Sequence, residues 1–199
     1  MSSKTKRKKT DNAHVWLKVA VRREAIAALT DVRVLDCFAG NNVLWKEIKP
    51  DYYLGIEKVK GKGSQNIYGD NVRLIPSLDL SRYNVIDLDS YGIPASQLLA
   101  VVQNETLPDS VVIVYTAIGG AIARGSKKLM SATGIRSEAY EKCPMLWNKK
   151  MLDLWYALLA KIGVEKINLV VLKENTYEKH YGYFVLNKNA INDIIRMLR

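Results

Sequence analysis

The sequence is poor in the residues that mark several common architectures. It has two cysteines, Cys37 and Cys143, and two histidines, His14 and His180. Neither pair stands at metal-ligand spacing and there is no Cys-x-x-Cys, which excludes a zinc module and a disulfide framework, so no metal is expected. Two isolated thiols fit a reducing compartment. No apolar run approaches the ~20 residues needed to span a bilayer. The N-terminal Met-Ser-Ser leads into lysines with no apolar stretch behind them, so neither a secretory signal nor membrane contact is expected. Internal repeats and a separate linker are missing too. So is Gly-x-Gly-x-x-Gly, which argues against a dinucleotide-binding dehydrogenase. These absences predict a soluble cytoplasmic protein, although in a eukaryotic host the basic tail would also serve as a nuclear address.

What is present is an ordinary globular composition with an unusual charge. The 199 residues are 48% hydrophobic and 25% charged, enough for one domain with a sizeable core. The net charge is +10, and it is segregated. Residues 1–30 hold 8 basic and 2 acidic side chains, net +6; residues 31–120 hold 8 and 11, net −3; residues 121–199 hold 14 and 7, net +7. An acidic centre between basic ends suggests chemistry in the middle and polyanion contact at the ends. Residues 1–12 read as a basic arm and residues 13–199 as one domain, with a basic substrate-side segment at 119–150.

Hydrophobic periodicity predicts helices at His14–Leu29, Val43–Ile48, Pro94–Glu105, Met145–Ile162 and Ala190–Leu198. Short apolar runs predict strands at Arg33–Cys37, Tyr52–Glu57, Gln65–Tyr68, Tyr83–Leu88, Val111–Ile118, Ile167–Leu172 and Tyr181–Leu186. Residues 119–144 lose periodicity and are expected to be irregular. Helices alternating with the first five strands predict an α/β, Rossmann-like doubly wound sheet of about seven strands. It is mostly parallel and ends in an antiparallel hairpin. Ligands of such sheets sit beyond the carboxyl ends of the strands, at the switch point of strand order.

The residues at those ends form a series. After the first strand comes Asp36-Cys37-Phe38-Ala39-Gly40-Asn41-Asn42, in which Gly40 allows a tight turn. After the second comes Glu57, 21 positions beyond Asp36, a spacing suited to ribose hydroxyls. After the third comes Asp70. After the fourth come Asp87, Asp89, Ser90, Tyr91 and Gly92. A lone acid after a strand is more often a cap or turn residue; four strand ends in order are harder to dismiss.

In these residues the sequence resembles the class I S-adenosylmethionine-dependent methyltransferases, at motif level from about residue 30 to 118 and in topology to 187. The resemblance implies that Asp36, Phe38 and Gly40 hold the methionine part of S-adenosylmethionine. It implies that Glu57 binds the ribose, that Asp70 contacts the adenine amine, and that Asp89–Gly92 lie at the reacting methyl. Asp87 is counted among the cofactor contacts, with the alternative that it sits deeper in the strand and orders the cofactor loop. Asp87-Leu88-Asp89-Ser90-Tyr91-Gly92-Ile93-Pro94 is similar to the signature of the tRNA guanine dimethyltransferases, and more loosely to that of amino-methylating DNA enzymes. Asn42 stands where the first motif has a second glycine, and asparagine tolerates left-handed backbone. Ser90 stands where the fourth motif has proline.

The chemistry expected is an in-line displacement in which the protein positions the nucleophile and shapes charge. Asp89 is the candidate acceptor of an amine's N–H bonds, and Tyr91 the candidate platform for an unstacked base. The segment 121–150 carries Arg124, Lys127, Lys128, Arg136, Lys142, Lys149 and Lys150 against Glu138 and Glu141, net +5, and is expected to grip nucleic acid. RNA is favoured over DNA as the partner. Three readings stay open: a nucleic-acid methyltransferase, the same fold acting on a small molecule or protein, and a non-catalytic nucleic-acid-binding relative.

Overall fold

In the computed structural model, residues 14–63, 66–120, 127–174, 177–189 and 191 are described. The basic arm, Arg124 and nearly all of the expected closing helix at 190–198 lie outside them. The chain begins with α1 (Val15–Ile26), β1 (Arg33–Asp36), α2 (Val43–Ile48), β2 (Tyr52–Glu57), β3 (Asn66–Tyr68) and α3 (Asn71–Leu74). Two short 3₁₀ turns follow, then β4 (Val85–Asp89), α4 (Ala95–Val102) and β5 (Ser110–Gly120). It continues through α5 (Lys127–Ala132), α6 (Ser137–Lys142), α7 (Pro144–Lys149), α8 (Met151–Lys161), β6 (Asn168–Glu174) and β7 (Tyr177–Asn187).

The seven strands form one sheet in the order β3-β2-β1-β4-β5-β7-β6. Strands β1 to β5 run parallel, and β7 is antiparallel to both β5 and β6. Both faces are covered, so neighbouring residues on one strand feed different cores. Leu35, Ile86, Leu88, Ile113 and Tyr115 join a large cluster with α4, α5 and α8. Val34, Val85, Val112 and Val114 join a smaller one with Leu17 and Val21 of α1 and Trp45 of α2. Strand order reverses between β1 and β4, where Asp36 pairs in register with Asp87. That places the switch point at the site predicted from strand order.

Two local expectations are revised, and one short helix is added to those expected. The segment 119–144 is not irregular throughout: β5 runs to Gly120, and α5, α6 and α7 occupy most of 127–149. Each of these helices has six residues, too few to repeat an apolar face and so too few to leave a periodic signature. The single helix expected over Met145–Ile162 is broken at Lys150 (φ −94°, ψ 2°) into α7 and α8. Finally α3 follows Asp70, whose carboxylate accepts from the Val72 N–H at 3.0 Å and so caps it.

Candidate functional site

Asp36 is the last residue of β1 and starts the turn that carries the site. Its Oδ1 accepts from the Phe38 backbone N–H at 3.0 Å, and its Oδ2 accepts from the Tyr53 hydroxyl at 3.0 Å. Gly40 then takes φ +52°, which an L side chain would resist. Two residues on, Asn42 is also left-handed (φ 61°, ψ 23°) and buried, so asparagine does serve where a second glycine was expected. Gly55 of β2 lets this loop settle: a Cβ there would lie 2.6 Å from Ala39 Cβ and 2.1 Å from Asn66 Oδ1. The Asn66 side-chain amide in turn donates to the Gly40 and Lys62 carbonyls at 3.3 and 2.8 Å, tying the first loop to the one after β2.

The fourth strand delivers Asp89 in register with Thr116 of β5. Ser90 replaces proline's rigidity with hydrogen bonding: its hydroxyl lies 3.0 and 3.2 Å from the Gly92 and Thr116 carbonyls and donates its one proton between them. The Ile118 N–H also donates to the Gly92 carbonyl, at 2.9 Å, so the loop is pinned to β5. Tyr91 projects from it, 73% exposed.

These ends enclose a cavity of about 240 Å³, lined among others by Asp36, Phe38, Gly40, Glu57, Asp89 and Tyr91. Six of the eight residues assigned to cofactor and chemistry therefore meet in one place. Asp70 lines a neighbouring cavity of about 330 Å³ that shares Phe38 and Glu57 with the first. Phe38 and Glu57 thus border both cavities.

Asp87 stands apart. It is fully buried beneath the cavity floor and does not line it. Its Oδ2 accepts from Arg22 Nε and from Trp45 Nε1, each at 2.7 Å, and its Oδ1 from Arg22 Nη2 at 2.9 Å. It shares a face of β4 with Asp89 but lies one pleat deeper, where it receives Arg22 and Trp45 instead of lining the cavity expected to hold the cofactor. Of the basic residues named for substrate, Arg124 lies outside the described residues, and Lys127, Lys128 and Arg136 do not line this cavity. Lys127 pairs with Glu141 at 2.7 Å on the surface. Lys128 lines a separate, largely apolar cavity beside α4 and α8, and Arg136 precedes α6. The cations that do line the site are Lys18, Lys62 and Lys179.

Lys18 and Arg22 are the functional neighbours that sequence reasoning missed. They stand four apart on α1 and point one way, toward β4. Lys18 Nζ donates to both oxygens of Asp89, at 2.9 and 2.8 Å, and Arg22 Nη2 lies 3.7 Å from Asp89. The signal present in the sequence is the i, i+4 pair of cations on the helix face that also carries buried Val21 and Ala25.

The electrostatics follow from this placement. Burial pushes the Asp36 carboxyl up, and Asp87 beside it adds to the effect, to about 8. Burial likewise raises Asp87, against the pull of Arg22. Burial alone would raise Asp89, but Arg22 and Lys18 outweigh it and hold its carboxyl below the ordinary range. Two carboxylates thus line one cavity in different states: Asp89 ionised, Asp36 largely protonated at neutral pH. Among the described residues there is no cluster of histidine, cysteine and acids placed to hold a metal, and no helix long and apolar enough to cross a membrane.

No protein-family model and no curated protein matches the chain. Solved structures do. The N-methyltransferase NodS from Bradyrhizobium japonicum WM9 is similar with a TM-score of 0.53 and 9% identity, over 86% of this chain and 95% of that one. Trm1 from Pyrococcus horikoshii, solved with S-adenosyl-L-methionine, is similar with a TM-score of 0.50 and 10% identity, over 91% of this chain and 57% of that one. A protein studied for the conversion of a disulfide bond into a thioacetal group during echinomycin biosynthesis is similar with a TM-score of 0.54 and 14% identity, over 92% and 86%. Strand order, the antiparallel β7 and these likenesses agree: the chain has the class I S-adenosylmethionine-dependent methyltransferase fold.

Proposed function

We propose that this protein is an S-adenosylmethionine-dependent methyltransferase acting on nucleic acid, with an exocyclic base amine in RNA as its target. The observation that carries this reading is the single cavity in which the Asp36–Gly40 turn and Glu57 meet Asp89 and Tyr91. Support comes from the cofactor bound to Trm1 and from the N-methyl chemistry named for NodS.

The donor set fits the cofactor. Asp36, at the tight turn, would hold the cofactor's amine, and Glu57 would accept from its ribose hydroxyls. Asp70 lies beyond Glu57 in the adjoining cavity. When bound, S-adenosylmethionine supplies a methyl group already activated by its sulfonium. The chain supplies position and charge. An ionised Asp89 accepts N–H bonds and favours amine character in a lone pair otherwise delocalised into the base. Exposed Tyr91 offers a ring on which a base taken out of its stack can lie. The exposed lysines of α6 and α7, Lys142 and Lys149, present positive charge after β5 for a phosphate backbone.

Calorimetric titration with S-adenosylmethionine tests the cofactor half. Wild-type protein is expected to bind and Glu57→Ala to bind at least tenfold more weakly; no binding by the wild type favours the non-catalytic relative. Labelled cofactor with tRNA, rRNA, DNA and protein pools tests the target half, and label in protein alone would sink the nucleic-acid claim. Affinity for the accepted RNA is expected to fall with log salt at a slope of ~0.7 per phosphate contact.

Asp36 adds a pH signature. Its carboxyl, raised to about 8, holds a proton at pH 7 that a cationic ligand must expel. Cofactor affinity is therefore expected to rise by up to about tenfold per pH unit below 8, and then to level. Proton release on binding, measured calorimetrically in buffers of different ionisation enthalpy, checks it. Asp36→Asn is the control and is expected to abolish this part of the release.

A further inference from the structure

The Lys18–Asp89 pair raises a steric question within the proposed reaction, and the role inferred for Lys18 rests on that reading. The carboxylate that would accept a target amine already has both oxygens occupied by an N–H donor. That donor comes from within the same cavity, since Lys18 and Asp89 both line it. Both side chains are partly shielded, 15% and 13% exposed, so this is not a solvent-averaged surface contact.

We infer that Lys18 is a positioning residue that holds the place of the target amine: its ammonium caps Asp89 until a base bearing an exocyclic amine displaces it. Both groups are nitrogen donors, so an N–H of the incoming amine takes over a carboxylate oxygen that Lys18 leaves. Arg22, 3.7 Å away and itself clamped on Asp87, leaves Asp89 with a cation when Lys18 departs. In the capped state Nζ already lies 5.8 Å from the Tyr181 ring centroid, so part of its stabilisation does not depend on Asp89. The device is a specificity filter. A base without an exocyclic amine has nothing to exchange for Lys18, so Asp89 stays capped. The cost is a lower apparent affinity for every substrate, in proportion to the fraction of time Asp89 is free.

Two measurements test this in the intact protein. The first needs no turnover. Acetylation of wild-type Lys18 by an N-hydroxysuccinimide ester, followed by peptide mass spectrometry, reports how often its amine leaves Asp89. Saturating guanosine or adenosine 5′-monophosphate is expected to raise the rate about fivefold, the range for releasing a partly shielded pair. Inosine 5′-monophosphate, which lacks the amine, is expected to leave it unchanged. Equal acceleration by all three, or by none, overturns the inference.

The second uses methyl transfer to bulk tRNA. Lys18→Met, similar in length but neutral, is expected to lower KM about fivefold and to move the acid limb of kcat/KM to higher pH. Lys18→Arg, which keeps the cap, is expected to do neither. The profile is read against the charged or titratable groups around Asp89 among the described residues: Lys18 and Arg22 from α1, His14 at the rim, Asp36 from β1, Glu57 and Lys62 at and after β2, Asp87 and Tyr91 at β4 and its loop, and Lys179 and Tyr181 from β7. Equal losses in both variants would mean a structural role and overturn the inference. Amine-dependent labelling without transfer to any nucleic acid would uphold the Lys18 exchange while defeating the proposed activity.

Discussion

Replacing Arg22 with methionine is expected to cost about 3–5 kcal/mol of folding stability, because it strands a buried carboxylate. Arg22 and Asp87 are both fully buried, and Arg22 makes two of the three side-chain hydrogen bonds that Asp87 receives. Without the guanidinium, Asp87 keeps only Trp45 Nε1, with Asp36 and Asp89 as anionic neighbours. The carboxyl must then fold protonated or unpaired. Urea unfolding read by far-UV circular dichroism measures the loss, and thermal melts should fall by roughly 2–4 °C per kcal/mol for a chain of this size. The double variant Arg22→Met with Asp87→Leu separates the ion pair from its packing. It is expected to recover most of the loss, since a buried pair exchanged for apolar groups is often neutral. A single variant that melts with the wild type would show that Asp87 is not held as described.

Much of this arrangement is legible in one dimension, and the part that is not has a common cause. Strand ends are local: an apolar run stops, an acid or glycine follows, and parallel order puts all such ends on one edge. Asp36, Gly40, Glu57 and Asp89 can be found by that rule because β1, β2 and β4 are sequential in order or adjacent in the sheet. Lys18 and Arg22 obey no such rule. They precede the sheet in the chain, and α1 packs on the face where β1 and β4 meet, 65 residues from Asp87 in sequence. Their partners are chosen by topology, not by spacing. Asp87 misleads for a related reason. Asp87 and Asp89 sit two apart on a strand and so share a face, but Asp87 lies one pleat deeper, where the loops no longer reach it. The basic segment misleads differently. Its surplus of charge is real, yet Lys127 spends its charge on Glu141, a pairing that net charge conceals.

Asp89→Asn is expected to lower kcat for methyl transfer by roughly 10²–10⁴-fold, the range for losing a positioned proton acceptor, while cofactor affinity stays within about threefold. The asparagine keeps one carbonyl oxygen near Lys18 and Thr116, so shape survives and the change is one of charge. Two effects then coincide. The site loses the anion that would draw N–H bonds from the base. Lys18 loses its counter-charge and is free to leave. If Asp89 only anchored Lys18, the second effect would dominate and KM would fall with kcat preserved. If Asp89 serves the reacting amine, kcat falls whatever Lys18 does. Single-turnover kinetics with labelled cofactor distinguish the two, because they isolate the chemical step from binding and release. The pH profile supplies an independent check. Lys18 and Arg22 hold the Asp89 carboxyl below its ordinary range, so wild-type activity should stay flat, as far as Asp89 governs it, from neutral down past the ordinary carboxylate range. An acid limb that persists unchanged in Asp89→Asn belongs to another group, with Asp36 the first candidate.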